Sequence, residues 1–238
     1  MKLGILCAID PIESELDWGS SPVDAYIRFF QSVNAPFEYA GYYVIRNELP
    51  VSPDECDCYV ITGSRRGAYD SDLWIAALID FIRKGFARGK RFTGICFGHQ
   101  VLAKALGGQV VKAKNGWGLG LEEMQIESRK EWMKDGGEAF SLYFAHQDQV
   151  TVLPADAQLL GGSSFCPIGM YTIDRRILGI QGHPEFSASM MESIIAQGKM
   201  SDDPALASAA RRAVKIAHNG QPDNQLLAQW IVNFFLDN

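Results

Sequence analysis

Two short stretches of this chain place side chains where they could do chemistry. In Gly94-Ile95-Cys96-Phe97-Gly98-His99-Gln100 a cysteine stands between two glycines, and in Gly182-His183-Pro184-Glu185-Phe186 a histidine stands two residues before a carboxylate. A cysteine attacks as the thiolate, so it needs a base within reach and a group that holds the base in the right tautomer. The G-x-C-x-G spacing suits a sharp strand-to-helix bend. The residue at the bend takes a positive φ, and the residues two before and two after it come so close that only glycine fits. Cys96 would then stand at a helix N-terminus, where free amides and the positive end of the helix dipole favour a thiolate. The Phe97 amide would face an oxyanion formed beside it. A lone cysteine is more often a small buried apolar residue, and it is the paired glycines that favour the nucleophile.

The chain holds four histidines to serve as base. His99, on the helix after Cys96, and His218, in a polar C-terminal segment, read as structural or solvent-facing. His146 lies at a strand end in Phe144-Ala145-His146-Gln147-Asp148. His183 has the better geometry, because Pro184 pushes it into an extended conformation and residues two apart in an extended chain project to the same side. The Glu185 carboxylate then reaches one ring nitrogen, fixing the tautomer and leaving the other nitrogen for the thiol proton. Taken alone the segment could equally be a turn with an exposed His and Glu. Downstream of a cysteine elbow, Cys96, His183 and Glu185 read as a triad. Thr62-Gly63-Ser64 closes a buried strand, and a glycine there lets backbone amides approach a reacting carbonyl, although an ordinary strand-end turn has the same composition. Ser64, Arg65 and Arg66 could bind a carboxylate, with a solvated basic loop as the plainer reading of the arginines. Cys56-Asp57-Cys58 and Cys96-Phe97-Gly98-His99 lack a paired C-x-x-C or H-E-x-x-H spacing, so no metal and no cofactor is expected.

These groups need a scaffold that brings strand ends together. Residues 3–9, 37–45, 58–62 and 91–95 read as strands, and 23–33, 73–86 and 100–106 as helices, with Pro22 opening the first helix and Gly107-Gly108 closing the third. This alternation predicts a doubly wound α/β sheet, mostly parallel, with helices on both faces. Ligands bind beyond the C-terminal strand ends of such sheets, where Gly63 and Cys96 both fall. From Leu119 the pattern changes to strands at 119–126, 142–145, 158–161, 170–173 and 177–181, an antiparallel or mixed extension of the sheet. Helices at 187–197, 204–218 and 224–236 follow. The last carries an apolar face that packs on its own domain or, on the sharper reading, forms a homodimer interface.

At 238 residues the chain can bury a sizeable core. A formal charge of −6, with no basic run longer than the pairs Arg65-Arg66 and Arg211-Arg212, offers no footprint for nucleic acid or an anionic membrane. The N-terminal residues read as a first strand rather than a signal peptide, and no stretch approaches membrane-spanning length. Five irregularly spaced cysteines argue against a disulfide framework and for a cytoplasmic location.

The cysteine elbow together with Gly182-His183-Pro184-Glu185 resembles the class I glutamine amidotransferase family over residues 1–190, leaving 191–238 as a C-terminal helical extension packed on the same domain. Ile61-Thr62-Gly63-Ser64, Ala68-Tyr69-Asp70 and Leu73-Trp74-Ile75 resemble the standalone branch of γ-glutamyl peptidases and proteins similar to the glutaminase domain of GMP synthase. The resemblance implies a flavodoxin-like fold, with Cys96 as nucleophile, His183 as base and Glu185 as orienting carboxylate. It implies oxyanion donors in the amides of Gly63 and Phe97, with Gln100 helping to hold glutamine. His146-Gln147-Asp148 is similar to the family's Ser-His-x-Asp segment, which contacts the amino-acid end of the substrate, with Ala145 in place of the serine. The family's Gly-Gly-Pro at the first oxyanion element is Thr62-Gly63-Ser64 here.

The implied reaction is attack of Cys96 on the γ-amide of glutamine, giving glutamate and ammonia for a separate acceptor enzyme through a glutamyl thioester. No phosphate loop of the G-x-x-x-x-G-K-[ST] type is present, so any use of ATP would fall to a synthetase on a separate chain. The alternative is a self-sufficient γ-glutamyl peptidase acting on a small conjugate, favoured by the length of the chain. A noncatalytic regulatory protein with this fold is a third reading.

Overall fold

The computed structural model describes residues 1–12, 14, 16–213 and 220–236. His218 and the part of its expected helix beyond Ala213 lie outside them. The chain opens with strand β1 (Lys2–Cys7), helix α1 (Pro22–Gln31), β2 (Glu38–Tyr43), β3 (Cys58–Ile61), α2 (Leu73–Ala87), β4 (Arg91–Ile95) and α3 (Phe97–Ala105). There follow β5 (Gln109–Lys112), β6 (Gly118–Ile126), β7 (Ala139–His146), β8 (Asp148–Val152), β9 (Gln158–Gly162), β10 (Met170–Ile173) and β11 (Ile177–Ile180). Helices α4 (Ala188–Lys199), α5 (Pro204–Ala213) and α6 (Asn224–Leu236) end the described chain.

Nine strands form one sheet in the order β2-β1-β3-β4-β11-β10-β9-β6-β7. The first five run parallel, and the remaining pairs are antiparallel. The mixed sheet expected from the change of pattern after Leu119 is thus one continuous structure. It hinges on β11, which returns beside β4 in parallel, pairing Ile177–Ile180 with Phe92–Ile95. This places the end of the histidine-bearing strand next to the end of the cysteine-bearing one.

Strand side chains alternate between two cores, as the two-residue period requires. Leu3, Ile5, Cys7 and Val60 face α1 and α6, packing with Tyr26, Phe30, Leu227, Trp230 and Phe234. Leu6, Tyr59 and Ile61 face α2 and α3, with Trp74, Leu78, Ile82, Val101 and Leu102. Helix α6 is therefore part of the main core rather than an outlying segment. A third cluster joins Trp18, Tyr143 and Phe186 to Met190, Met191 and Ile195 of α4 and Ala210 of α5. Among the described residues no helix is long and apolar enough to cross a membrane.

Two details depart from the sequence-based expectation. The strand expected over 37–45 stops at Tyr43, because residues 44–46 tighten into a 3₁₀ turn ended by Asn47 at φ 62°. A separate two-stranded antiparallel sheet pairs β5 with β8. It has no sequence signature, since β5 is largely exposed and shows no alternation of buried and open positions.

The elbow between β4 and α3 is the tightest point of the fold. A Cβ on Gly98 would lie 2.2 Å from the Ile61 carbonyl oxygen, and one on Gly94 would lie 2.3 Å from the Gly98 carbonyl carbon. Neither clash is with a flexible side chain. Gly98→Ala should therefore lower stability by more than about 3 kcal/mol, the upper end for overpacking. Gly89→Ala is the control: its φ is +77° with open space around the new Cβ, so it should cost about 1–2 kcal/mol for the left-handed backbone alone. Urea unfolding of both variants checks this, and equal losses would refute the close approach.

Candidate active site

Cys96 occupies the N-cap of α3 at φ 52° and ψ −103°. Its N–H donates to the Ile180 carbonyl at 2.9 Å, and its own carbonyl accepts the Gln100 N–H at 3.1 Å. The elbow is thus tied to β11 on one side and opens the helix on the other. The Phe97 ring turns aside to pack on Trp74, with centroids 5.4 Å apart. This leaves the Phe97 amide, the first of the helix, among those an α-helix does not pair internally.

His183 arrives from the end of β11. Its N–H donates to the Tyr143 carbonyl of β7 at 2.8 Å, and its ring lies flat on Phe186 at 3.9 Å and 10°. Asn224, opening α6, donates its side-chain amide to the Phe186 carbonyl at 2.8 Å and braces this turn from behind. His183 Nδ1 meets Glu185 Oε1 at 2.8 Å, and the two side chains are 6% and 1% exposed. The Cys96 thiol lies within hydrogen-bonding reach of the same ring. His183 is extended, as expected before Pro184, and bridges to Tyr143, but Pro184 and Glu185 then make a turn closed by the Phe186 N–H on the His183 carbonyl at 3.4 Å. This turn, not the expected extended run, brings the carboxylate to the ring.

Electrostatics then set the protonation state. Burial pulls the His183 pKa down, but the Glu185 carboxylate and then Cys96 outweigh it and raise the value to about 10. His146 and His99, also buried, have no such partners and are pushed down to about 3 by desolvation. Burial raises the Cys7 thiol to about 11 and the Cys166 thiol to about 12, so these thiols stay protonated at neutral pH. Among the described residues no group of three or more His, Cys, Asp or Glu side chains is placed to hold a metal ion.

One cavity of about 780 Å³ opens at this point, and its walls include Cys96, His183, Glu185, Gly63, Ser64, Gln100 and His146. Gly63 lies against the histidine: a Cβ there would stand 3.0 Å from His183 Cε1 and 3.8 Å from Cys96 Cβ. Its N–H, however, is directed to the Tyr26 hydroxyl at 3.4 Å. Gln100 is buried and donates its amide to the Asp148 carbonyl at 2.8 Å and to Gln181 Oε1 at 3.1 Å. Its donors therefore hold the start of β8. His146 Nδ1 meets the same Asp148 carbonyl at 3.1 Å, while its Nε2 is buried without a partner among the described residues. Ser64 Oγ accepts the Arg66 N–H at 3.2 Å, bracing its own loop. The cavity continues past Trp18, Trp117, Leu119 and Leu206 toward α4 and α5.

Sequence reasoning missed Tyr26. Its hydroxyl donates to Glu185 Oε1 at 2.9 Å from a fully buried position on α1. The available signal was a tyrosine on the apolar face of an amphipathic helix, since a buried phenol must find a polar partner. Phe186 was visible beside Glu185, but its stacking on the imidazole depends on the fold of the turn.

A family model for glutamine amidotransferase class-I matches residues 21–200. The chain is 35% identical over 165 residues to γ-glutamyl peptidase 4 of Arabidopsis thaliana, covering 66% of each protein, so the match spans just under two thirds of that relative. It is 31% identical over 129 residues to the glutamine-hydrolysing GMP synthase of Streptococcus mutans, covering 53% of this chain and 24% of that one. The crystal structure of a glutamine amidotransferase from Thermotoga maritima superposes with a TM-score of 0.73 at 20% identity, covering 99% of both chains.

The raised His183 value has a definite pH signature. The folded pKa of about 10 exceeds the ordinary 6.5, so the pair's contribution to stability is complete below pH 6.5 and is lost as pH rises through 10. In NMR titrations of the free protein, His183 should hold its second proton to about pH 10 while His99 and His146 stay neutral down to about pH 3. Glu185→Gln should move the His183 midpoint down, because desolvation then meets less opposition. An unchanged midpoint would show that Glu185 does not govern the histidine.

Proposed function

This chain belongs to the glutamine amidotransferase class-I family, and from that premise we propose that it is a cysteine hydrolase acting on the γ-amide bond of a γ-glutamyl compound. The observation that carries the reading is the buried His183–Glu185 contact of 2.8 Å beside a cysteine held at φ 52° on a helix N-cap. For attack the thiol proton passes to the His183 side of the pair, giving a thiolate paired with imidazolium. The thiolate attacks the γ-carbonyl carbon, and the Phe97 amide stabilises the oxyanion that forms. His183 gives its proton to the departing nitrogen, the C–N bond breaks, and a glutamyl thioester remains on Cys96. Neutral His183 then takes a proton from water as the hydroxyl adds to the thioester carbonyl. Collapse of that adduct releases glutamate and returns the thiolate–imidazolium pair. Glu185 keeps the imidazole in one tautomer throughout and stabilises its positive form.

The size of the cavity favours a substrate larger than glutamine. About 780 Å³ lies toward the upper part of the range for small-molecule sites, well beyond the needs of a free amino acid. The space past Trp18 and Trp117 suits the leaving portion of a γ-glutamyl conjugate, in keeping with the γ-glutamyl peptidase among the relatives. A second reading, in which the substrate is glutamine and ammonia passes to a separate synthetase, draws on the GMP synthase in the same comparison.

Turnover of γ-glutamyl dipeptides should exceed release of ammonia from glutamine, as measured by kcat/KM for purified protein across both substrates. The reverse ranking would favour the glutaminase reading. Cys96→Ala should cut turnover by roughly four orders of magnitude or more while the protein remains folded. Near-normal activity in that variant would sink the mechanism. His183→Ala should cost more than Glu185→Gln, which disturbs orientation and charge but spares the base.

A further inference from the structure

One buried hydroxyl touches both halves of the site. Tyr26 is wholly buried in α1, far in sequence from both of its partners. It donates to Glu185 Oε1 at 2.9 Å and accepts the Gly63 N–H at 3.4 Å. The oxygen it addresses is the same one that meets His183 Nδ1 at 2.8 Å, while Glu185 Oε2 is buried with no hydrogen-bond partner among the described residues. A carboxylate anchored at only one of its oxygens depends on the donors at that oxygen for its orientation. His183 cannot be its own reference, because the carboxylate's task is to hold the imidazole. An external anchor is needed, and Tyr26 is placed to provide it. Burial, with the Glu185 charge alongside, keeps its phenol protonated far above neutral pH, so it remains a donor over the working range.

We propose that Tyr26 is a positioning residue: its hydroxyl locks the Glu185 carboxylate onto His183 and ties that pair to the Gly63 peptide at the end of β3. The inference rests on the proposed hydrolase reading for its kinetic consequence. Its structural consequence stands apart from turnover, because it concerns how firmly the His183 Nδ1–H is held by Glu185 in the free protein.

Tyr26→Phe removes the hydroxyl and keeps the ring that packs in the core. With γ-glutamyl-p-nitroanilide as the probe, kcat should fall about tenfold, the rate equivalent of one net hydrogen bond, with KM little changed. In the free protein, the downfield proton NMR signal of His183 Nδ1–H, identified by its loss in Glu185→Gln, should exchange with water about tenfold faster in Tyr26→Phe, by the same measure. Unchanged exchange in a folded variant overturns the proposal whatever happens to kcat, since a loss of rate alone would place Tyr26's effect elsewhere. If the unaltered protein turns over neither γ-glutamyl-p-nitroanilide nor glutamine, the hydrolase reading fails and the exchange measurement still decides the role of Tyr26. If Tyr26→Phe does not fold, 3-fluorotyrosine at position 26 keeps shape and hydroxyl while strengthening the donor. It should shift the His183 Nδ1–H resonance, and no shift would overturn the proposal.

Discussion

Backbone contact at the elbow is the constraint on which the rest of the site depends. With Gly98 set against the Ile61 carbonyl and Gly94 against Gly98, α3 can leave β4 along only a narrow range of paths, and Cys96 must take the positive φ observed there. That conformation is unfavourable for a side-chain-bearing residue. It persists because two parallel strands and the helix they support fix it from both sides, with the Cys96 N–H bound to the Ile180 carbonyl. The outcome is a thiol raised above the sheet at the end of a helix dipole, beside the strand that delivers the histidine.

Around this rigid point the electrostatics are those of a buried, opposed set of charges. A carboxylate as enclosed as Glu185 is costly unless it is paired and hydrogen-bonded. The pairing is supplied by His183, whose proton affinity rises as a result. Burial that drives His99 and His146 to neutrality therefore has the opposite net outcome at His183, because one neighbour carries the compensating charge. Stacking on Phe186 and the bond from Asn224 to its carbonyl hold the imidazole in place. In this way α6, far from the elbow in sequence, contributes to the site as well as to the core.

Much of this was legible without coordinates, for identifiable reasons. The parallel half of the fold follows from alternating periodicities. The cysteine elbow follows from a steric rule that admits only glycine at two positions, and the extended His183 from the preference of a residue before proline. Its contact with Glu185 comes instead from the turn at Pro184 and Glu185, closed by the Phe186 N–H on the His183 carbonyl. The β5–β8 pair was not legible, because short exposed strands carry no alternation. Gln100 was read as a substrate contact, whereas its donors are engaged with Asp148 and Gln181, partners that lie more than forty residues away in the chain. Gly63 was read as an amide aimed at the oxyanion. It lies against His183 as that reading requires, but its N–H meets Tyr26.

By itself the sequence singled out Cys96, His183 and Glu185 as candidate site residues through local features: two glycines around Cys96, and a proline between His183 and Glu185. Tertiary structure alone decided how they are held. The parallel return of β11 beside β4 brings His183 to the Cys96 thiol, the closing of α1 over the sheet sets Tyr26 against Glu185 and Gly63, and the packing of α4 and α5 shapes the far end of the cavity. These contacts join segments separated by tens to more than a hundred residues. No local pattern can encode them, since they depend on which faces the core has already buried.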